Sequence, residues 1–211
     1  MFLNRKNTNI QYHPETPDEL YELVRNEYIC LDEIDTSKIT NMAYIFELCN
    51  RDYTGIENWD VSNVKTMKCM FQGAENFNAD ISGWDVSNVK DMDRMFFRAF
   101  RFNQDISGWN VSKVKKMQNM FGQAVSFNQD ISSWNVSQVE NMAGMFAYAY
   151  RFNQDISCWN VSKVVKMNEM FENAEEFNQD ISGWNVSNVK NKKDMFKGSP
   201  LENNPPKWYK K

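Results

Sequence analysis

The sequence predicts an α/β repeat solenoid, with short parallel strands on its concave face and short helices on its convex face. Three observations carry the prediction. Tryptophans stand at 59, 84, 109, 134, 159 and 184, each 25 residues after the last, and a fixed period of about 20 to 50 residues marks stacked repeats. Within each period the apolar spacing changes from strand-like to helix-like. At both flanks the period gives way to segments suited to closing an open core. The chain accordingly divides into a tail and capping helix over residues 1–30, about seven tandem units over 31–199, and a C-terminal cap over 200–211.

Thr16-Pro17-Asp18-Glu19 is a capping box with proline at the first helical position, and it leads into Leu20, Leu23 and Val24. The first repeat is divergent: Ile34 aligns with Trp59, Ile39 with Val64, and Met42 and Phe46 with Met67 and Phe71. A full unit, residues 77–101, reads FNADISGWDVSNVKDMDRMFFRAFR. In Ile81-Ser82-Gly83-Trp84-Asp85-Val86 the alternation points Trp84 and Val86 inward and Asp85 outward, a short strand. Ser87 suits a helix N-cap, and Val89, Met92, Met95, Phe96 and Ala99 mark one helical face, which also assigns the methionine columns to the core. The Phe-Asn-Gln-Asp segments at 102, 127, 152 and 177 return the chain to the next strand. Their asparagines, with Asn78, are read as a stacked, buried column. Pro200, Pro205 and Pro206 end the repeat, and Trp208 and Tyr209 are placed to plug the core.

Tandem FNQDISxWNVSxVxxMxxMFxxA units, closed by PLENNPPKWY, resemble the BspA-type leucine-rich repeat family of mycoplasma lipoproteins and other microbial surface proteins. The match runs over about residues 31–209. The resemblance implies a leucine-rich-repeat-like solenoid used for adhesion or protein interaction, and a cell-surface location.

Composition narrows the function classes. The formal net charge of −4 comes with no Lys/Arg cluster spaced for successive phosphates, so nucleic acid is not expected as a partner. No apolar run of about 18 residues and no signal-peptide core is readable, so membrane insertion is not expected and a cytoplasmic location is favoured over the surface one. Cys30, Cys49, Cys69 and Cys158 lack metal-pair or bridge spacing and read as reduced thiols. His13, the only histidine, has no partner in view and is read as a solvated loop residue, so no enzyme is expected. The column Asp80, Asp105, Asp130, Asp155 and Asp180 reads as turn caps rather than calcium ligands. No cofactor or metal site is expected.

Recognition is sought where the units differ. Phe97, Arg98, Phe100, Arg101, Val125, Tyr148, Tyr150 and Arg151 form a convex aromatic and arginine patch, a composition enriched at interfaces, and a protein partner or a second copy is expected there. The competing reading tucks Phe100, Val125 and Tyr150 under the loop as a local cluster. The alternative site is the concave ladder of Asp60, Asp85, Asn110, Asn135, Asn160 and Asn185, suited to a glycan or host protein in an adhesin-like module. Asn110, Asn135, Asn160 and Asn185 also head Asn-Val-Ser sequons, whose glycans would crowd one another if all were used.

Overall fold

A computed structural model describes residues 10–209. Successive 25-residue units lie one above the next as coils. Parallel bridges join Asn41, Thr66, Asp91, Lys116, Asn141, Lys166 and Asn191 in order, one residue per coil. From the third coil, the amides of Met92, Arg94, Phe96 and Arg98 donate to the carbonyls of Lys116, Gln118, Met120 and Gly122 at 2.8–2.9 Å. Every second N–H thus points up the stack. The intervening amides close i to i+3 turns, Met95 to Met92, Phe97 to Arg94 and Ala99 to Phe96.

This arrangement differs from the helix expected over 89–99. A helix directs its amides along its own axis to residue i−4, whereas here alternate amides leave for the neighbouring coil. Two left-handed residues per coil turn them that way. One column is Tyr44, Cys69, Arg94, Asn119, Gly144, Glu169 and Asp194; the other is Leu48, Gly73, Arg98, Gln123, Tyr148, Asn173 and Gly198, and φ lies between 51° and 72° at all of them. The single α-helix among the described residues, α1 (Pro17–Arg25), lies outside the repeats, and the other helical pieces are single 3₁₀ turns.

The strand expected at 81–86 is also made of turns. Trp84 N donates to Ile81 O and Val89 N to Val86 O, and the pairing falls instead at residue 91 and its equivalents. Trp84 and Val86 are nevertheless buried and Asp85 exposed. A spacing of three places a buried residue at each end of an i to i+3 turn, so the same apolar pattern serves a string of corners, each aimed at the core.

The core is a set of ladders. Phe46, Phe71, Phe96, Phe121, Phe146, Phe171 and Phe196 stack with ring centroids 5.4–5.9 Å apart. The Phe77 to Phe177 column runs beside them. Each described methionine of the repeats is buried. Trp84 Nε1 donates to Ile56 O at 3.1 Å, and every later tryptophan repeats the bond to the coil below. Trp208 supplies one more rung, to Ile181 O at 3.1 Å, while Tyr209 packs edge-on against Phe196. Those two aromatics therefore cover the last coil. At the other end α1 occupies the positions 25 residues before 42–50 and buries Leu20 and Val24. Arg25 Nη2 donates to Glu47 O, and Arg51 reaches Val24 O and Ile29 O. The helix covers the first coil while keeping its own amides satisfied.

Candidate functional site

The chemistry-bearing columns are built into the turns. Asp80 Oδ1 accepts from Ser82 N at 2.9 Å, and Asp105, Asp130, Asp155 and Asp180 repeat the contact with the serine two residues on. The hydroxyl and amide of Ser82 hold the Asp80 carboxyl below its usual range, and the amide and hydroxyl of the matching serine do so for Asp105, Asp130, Asp155 and Asp180. The second ladder behaves alike. Asp60, Asp85, Asn110, Asn135, Asn160 and Asn185 are all exposed, and the Oδ1 of each accepts from a serine amide at 2.9–3.2 Å. They are turn caps and not outward residues of a paired strand.

The asparagine column forms a ladder of side chain to backbone bonds: Asn78 Oδ1 accepts from Asn103 N, and the pattern continues through Asn128 and Asn153 to Asn178. It differs from the expected column in its setting, since Asn78, Asn103 and Asn178 are exposed. The ladder ties the coils along the surface, with glutamines such as Gln129 donating to Asn103 O beside it.

His13 has a partner that the sequence does not reveal: its Nδ1 lies 3.2 Å from Asp35 Oδ2 in an exposed setting. Cys49 and Cys69 are buried, and burial pushes the Cys69 thiol up; Cys30 and Cys158 are exposed, and all four are free. Cys158 Sγ contacts Ser132 O at the place where Ser133 bonds Ser107 O one coil below.

The aromatic and arginine patch lies outside the hydrophobic core cluster. Phe97, Phe100, Val125 and Tyr148 are half-buried, while Tyr150, Arg98, Arg101 and Arg151 are exposed. The Arg98 guanidinium lies over the Phe100 ring at 5.8 Å and that of Arg94 over Phe97 at 5.9 Å. Phe97 also lies across Gly122 of the next coil, where an added Cβ would come within 2.9 Å of its ring. Phe100, Val125 and Tyr150 hold the same place in successive coils. Arg98 and Tyr148 sit in one left-handed column.

Tyr28, Tyr44 and Leu48 are further exposed apolar residues, and comparison of the columns does not reveal them because they fall before or within the divergent first unit. The left-handed columns had a sequence signal: glycine or asparagine occurs at 73, 119, 144, 173 and 198.

A family model described as a mycoplasma protein of unknown function, DUF285, matches twice, over residues 19–134 and 103–208. The chain belongs to this family. Both DUF285 matches cover the stacked coils, and the first begins inside α1. No curated protein and no solved structure matches the chain. No helix among the described residues is long and apolar enough to cross a membrane.

Proposed function

We propose that the stacked coils are a non-catalytic, leucine-rich-repeat-like solenoid scaffold of BspA type that binds a protein partner through Phe97, Arg98, Phe100, Arg101, Val125, Tyr148, Tyr150 and Arg151. The observation that carries this reading is that these aromatic side chains stand outside the core cluster yet remain partly or fully exposed on neighbouring coils. Arginine over an aromatic ring presents charge and apolar area together, the composition of interface anchors. The recurring carboxylates are engaged as turn caps, and two of the four thiols are buried, which supports a binding role over a chemical one.

The adhesin-like alternative uses Asp60, Asp85, Asn110, Asn135, Asn160 and Asn185 for glycan or host protein. Their exposure favours it. Their engagement with serine amides favours the patch, because ligand binding there would compete with the turns.

The test is a pull-down from source cells with the wild-type chain and the Phe100→Glu/Tyr150→Glu variant. The patch reading expects a partner lost with the variant and an unchanged melting temperature. A variant that melts earlier would place these rings in the fold, and retention of the partner would move recognition to the Asp/Asn ladder.

A further inference from the structure

The two ends of the stack carry opposite charge. Among the described residues, 10–60 hold twelve acidic and three basic residues, whereas 186–209 hold five lysines and two acids. At the first end, α1 presents Asp18, Glu19 and Glu22 beside a cleft that also includes Tyr12, Leu23 and Ile29. The exposed large apolar side chains gather there as well. Ile10, Tyr21, Tyr28, Tyr44 and Leu48 all belong to this end, and among the described residues only Tyr150 lies elsewhere. Tyr28 is 97% exposed, an unusual position for a tyrosine that serves folding alone.

The last coil has the complementary chemistry. In the inner coils the amides equivalent to Lys192, Asp194 and Phe196 donate to the coil above, but here they have no acceptor among the described residues. The left-handed residue Asp194 keeps these alternate amides directed out of the last coil, as its equivalents do in the coils before it. Around them lie Lys192, Lys193 and Lys197, with Asp194 and Glu202 among them; Lys192 Nζ donates to Trp208 O, Lys197 pairs with Glu172, and Lys193, 3.9 Å from Asp194, is the most exposed. Open amides ringed by ammonium groups face an end of the molecule suited to carboxylates.

We propose that copies of this chain associate head to tail, the lysine-rich last coil of one docking on the acidic, tyrosine-bearing first end of the next. The occupant is a second copy because each end supplies what the other lacks: carboxylates and exposed rings at the first, ammonium groups and backbone donors without an acceptor among the described residues at the last. Such a contact is heterologous and leaves both outer ends open, so it propagates into chains rather than closing as a dimer. It uses surfaces separate from Phe100 and Tyr150 and stands or falls independently of the partner assigned to them.

Sedimentation velocity of the full chain tests this at low and high ionic strength, with Glu22→Lys/Glu27→Lys and Lys193→Glu/Lys207→Glu as charge-reversed variants at exposed positions. The wild type is expected to sediment faster as concentration rises and to return to monomer in high salt. Each variant alone should associate about tenfold more weakly or less. Mixing the two in equal amounts should restore association, because each then meets an end of opposite charge. Recovery on mixing also shows that both variants are folded. A wild type that stays monomeric at low salt overturns the proposal, as does association that persists in both variants or does not return in the mixture.

Discussion

Trp134 shows how one side chain joins two coils. Its ring is buried and its Nε1 donates to Ile106 O, 28 residues earlier, at 3.1 Å. The Trp134→Phe variant keeps an aromatic ring but removes this bond between coils, leaving Ile106 O with the Trp109 amide alone. We expect it to lose about 0.5–1.5 kcal/mol for the missing hydrogen bond, with the smaller ring acting in the same direction. Urea unfolding measures the loss. A variant as stable as the wild type would show that the Trp109 amide alone satisfies Ile106 O. The periodic tryptophans are plain in the sequence, but the partner of each indole is not, because a carbonyl 28 residues away is identified only by the way the chain coils.

At the scale of the element, the segment over 89–99 and its copies separates two backbone forms that share one apolar spacing. Glu169 is exposed, with φ at 59°. A non-glycine residue in that conformation costs about 1–2 kcal/mol, and glycine removes that cost while adding about 0.5–1 kcal/mol of chain entropy to the unfolded state. The Glu169→Gly variant is therefore expected to be as stable as the wild type or more stable, by up to about 1 kcal/mol. In a helix the same change would destabilise by about 1 kcal/mol, so the sign of the shift in melting temperature distinguishes the two. The columns containing Glu169 and Asn173 vary widely in residue type from coil to coil. The cross-coil amide bonds hold residues such as Tyr44 and Arg98 left-handed despite their side chains.

For the whole molecule, stability accumulates from contacts between neighbouring coils, and the aspartate columns make it depend on acid. The carboxyls of Asp80, Asp105, Asp130, Asp155 and Asp180 titrate below the ordinary value of 3.8 because of the serine bonds. A group depressed in the folded state stabilises above its unfolded value, and the contribution is lost as pH falls through the folded one. The melting temperature should therefore be insensitive to these groups near neutrality and fall below about pH 4. Replacing all five by asparagine should flatten that fall, since Asn110 already caps its turn from the same kind of side chain at 3.2 Å. A melting curve with an unchanged acid limb would assign the loss to other carboxylates. The same molecule-wide charge distribution, acidic at α1 and basic beyond Asn185, is visible in the sequence, whereas the open amides of Lys192, Asp194 and Phe196 emerge only from the stack.

The sequence by itself determined the period, the core columns of phenylalanine, tryptophan and methionine, the aspartate caps, the start of the capping helix at Pro17 and the aromatic close at Trp208 and Tyr209. Each follows from local spacing or from side-chain chemistry within a few residues. Only the tertiary structure decided how the backbone meets those requirements. Spacings of two and three suggested strand and helix; the segment at 89–99 became turns as alternate amides found carbonyls 24 residues away, and 81–86 became turns closed within its own coil. It also decided which polar side chains are occupied by the fold, giving His13 its Asp35 partner and committing the Asp85 to Asn185 ladder to serine amides. Hydrogen bonds between coils join residues distant in sequence, and a pattern read along one chain does not show where they close.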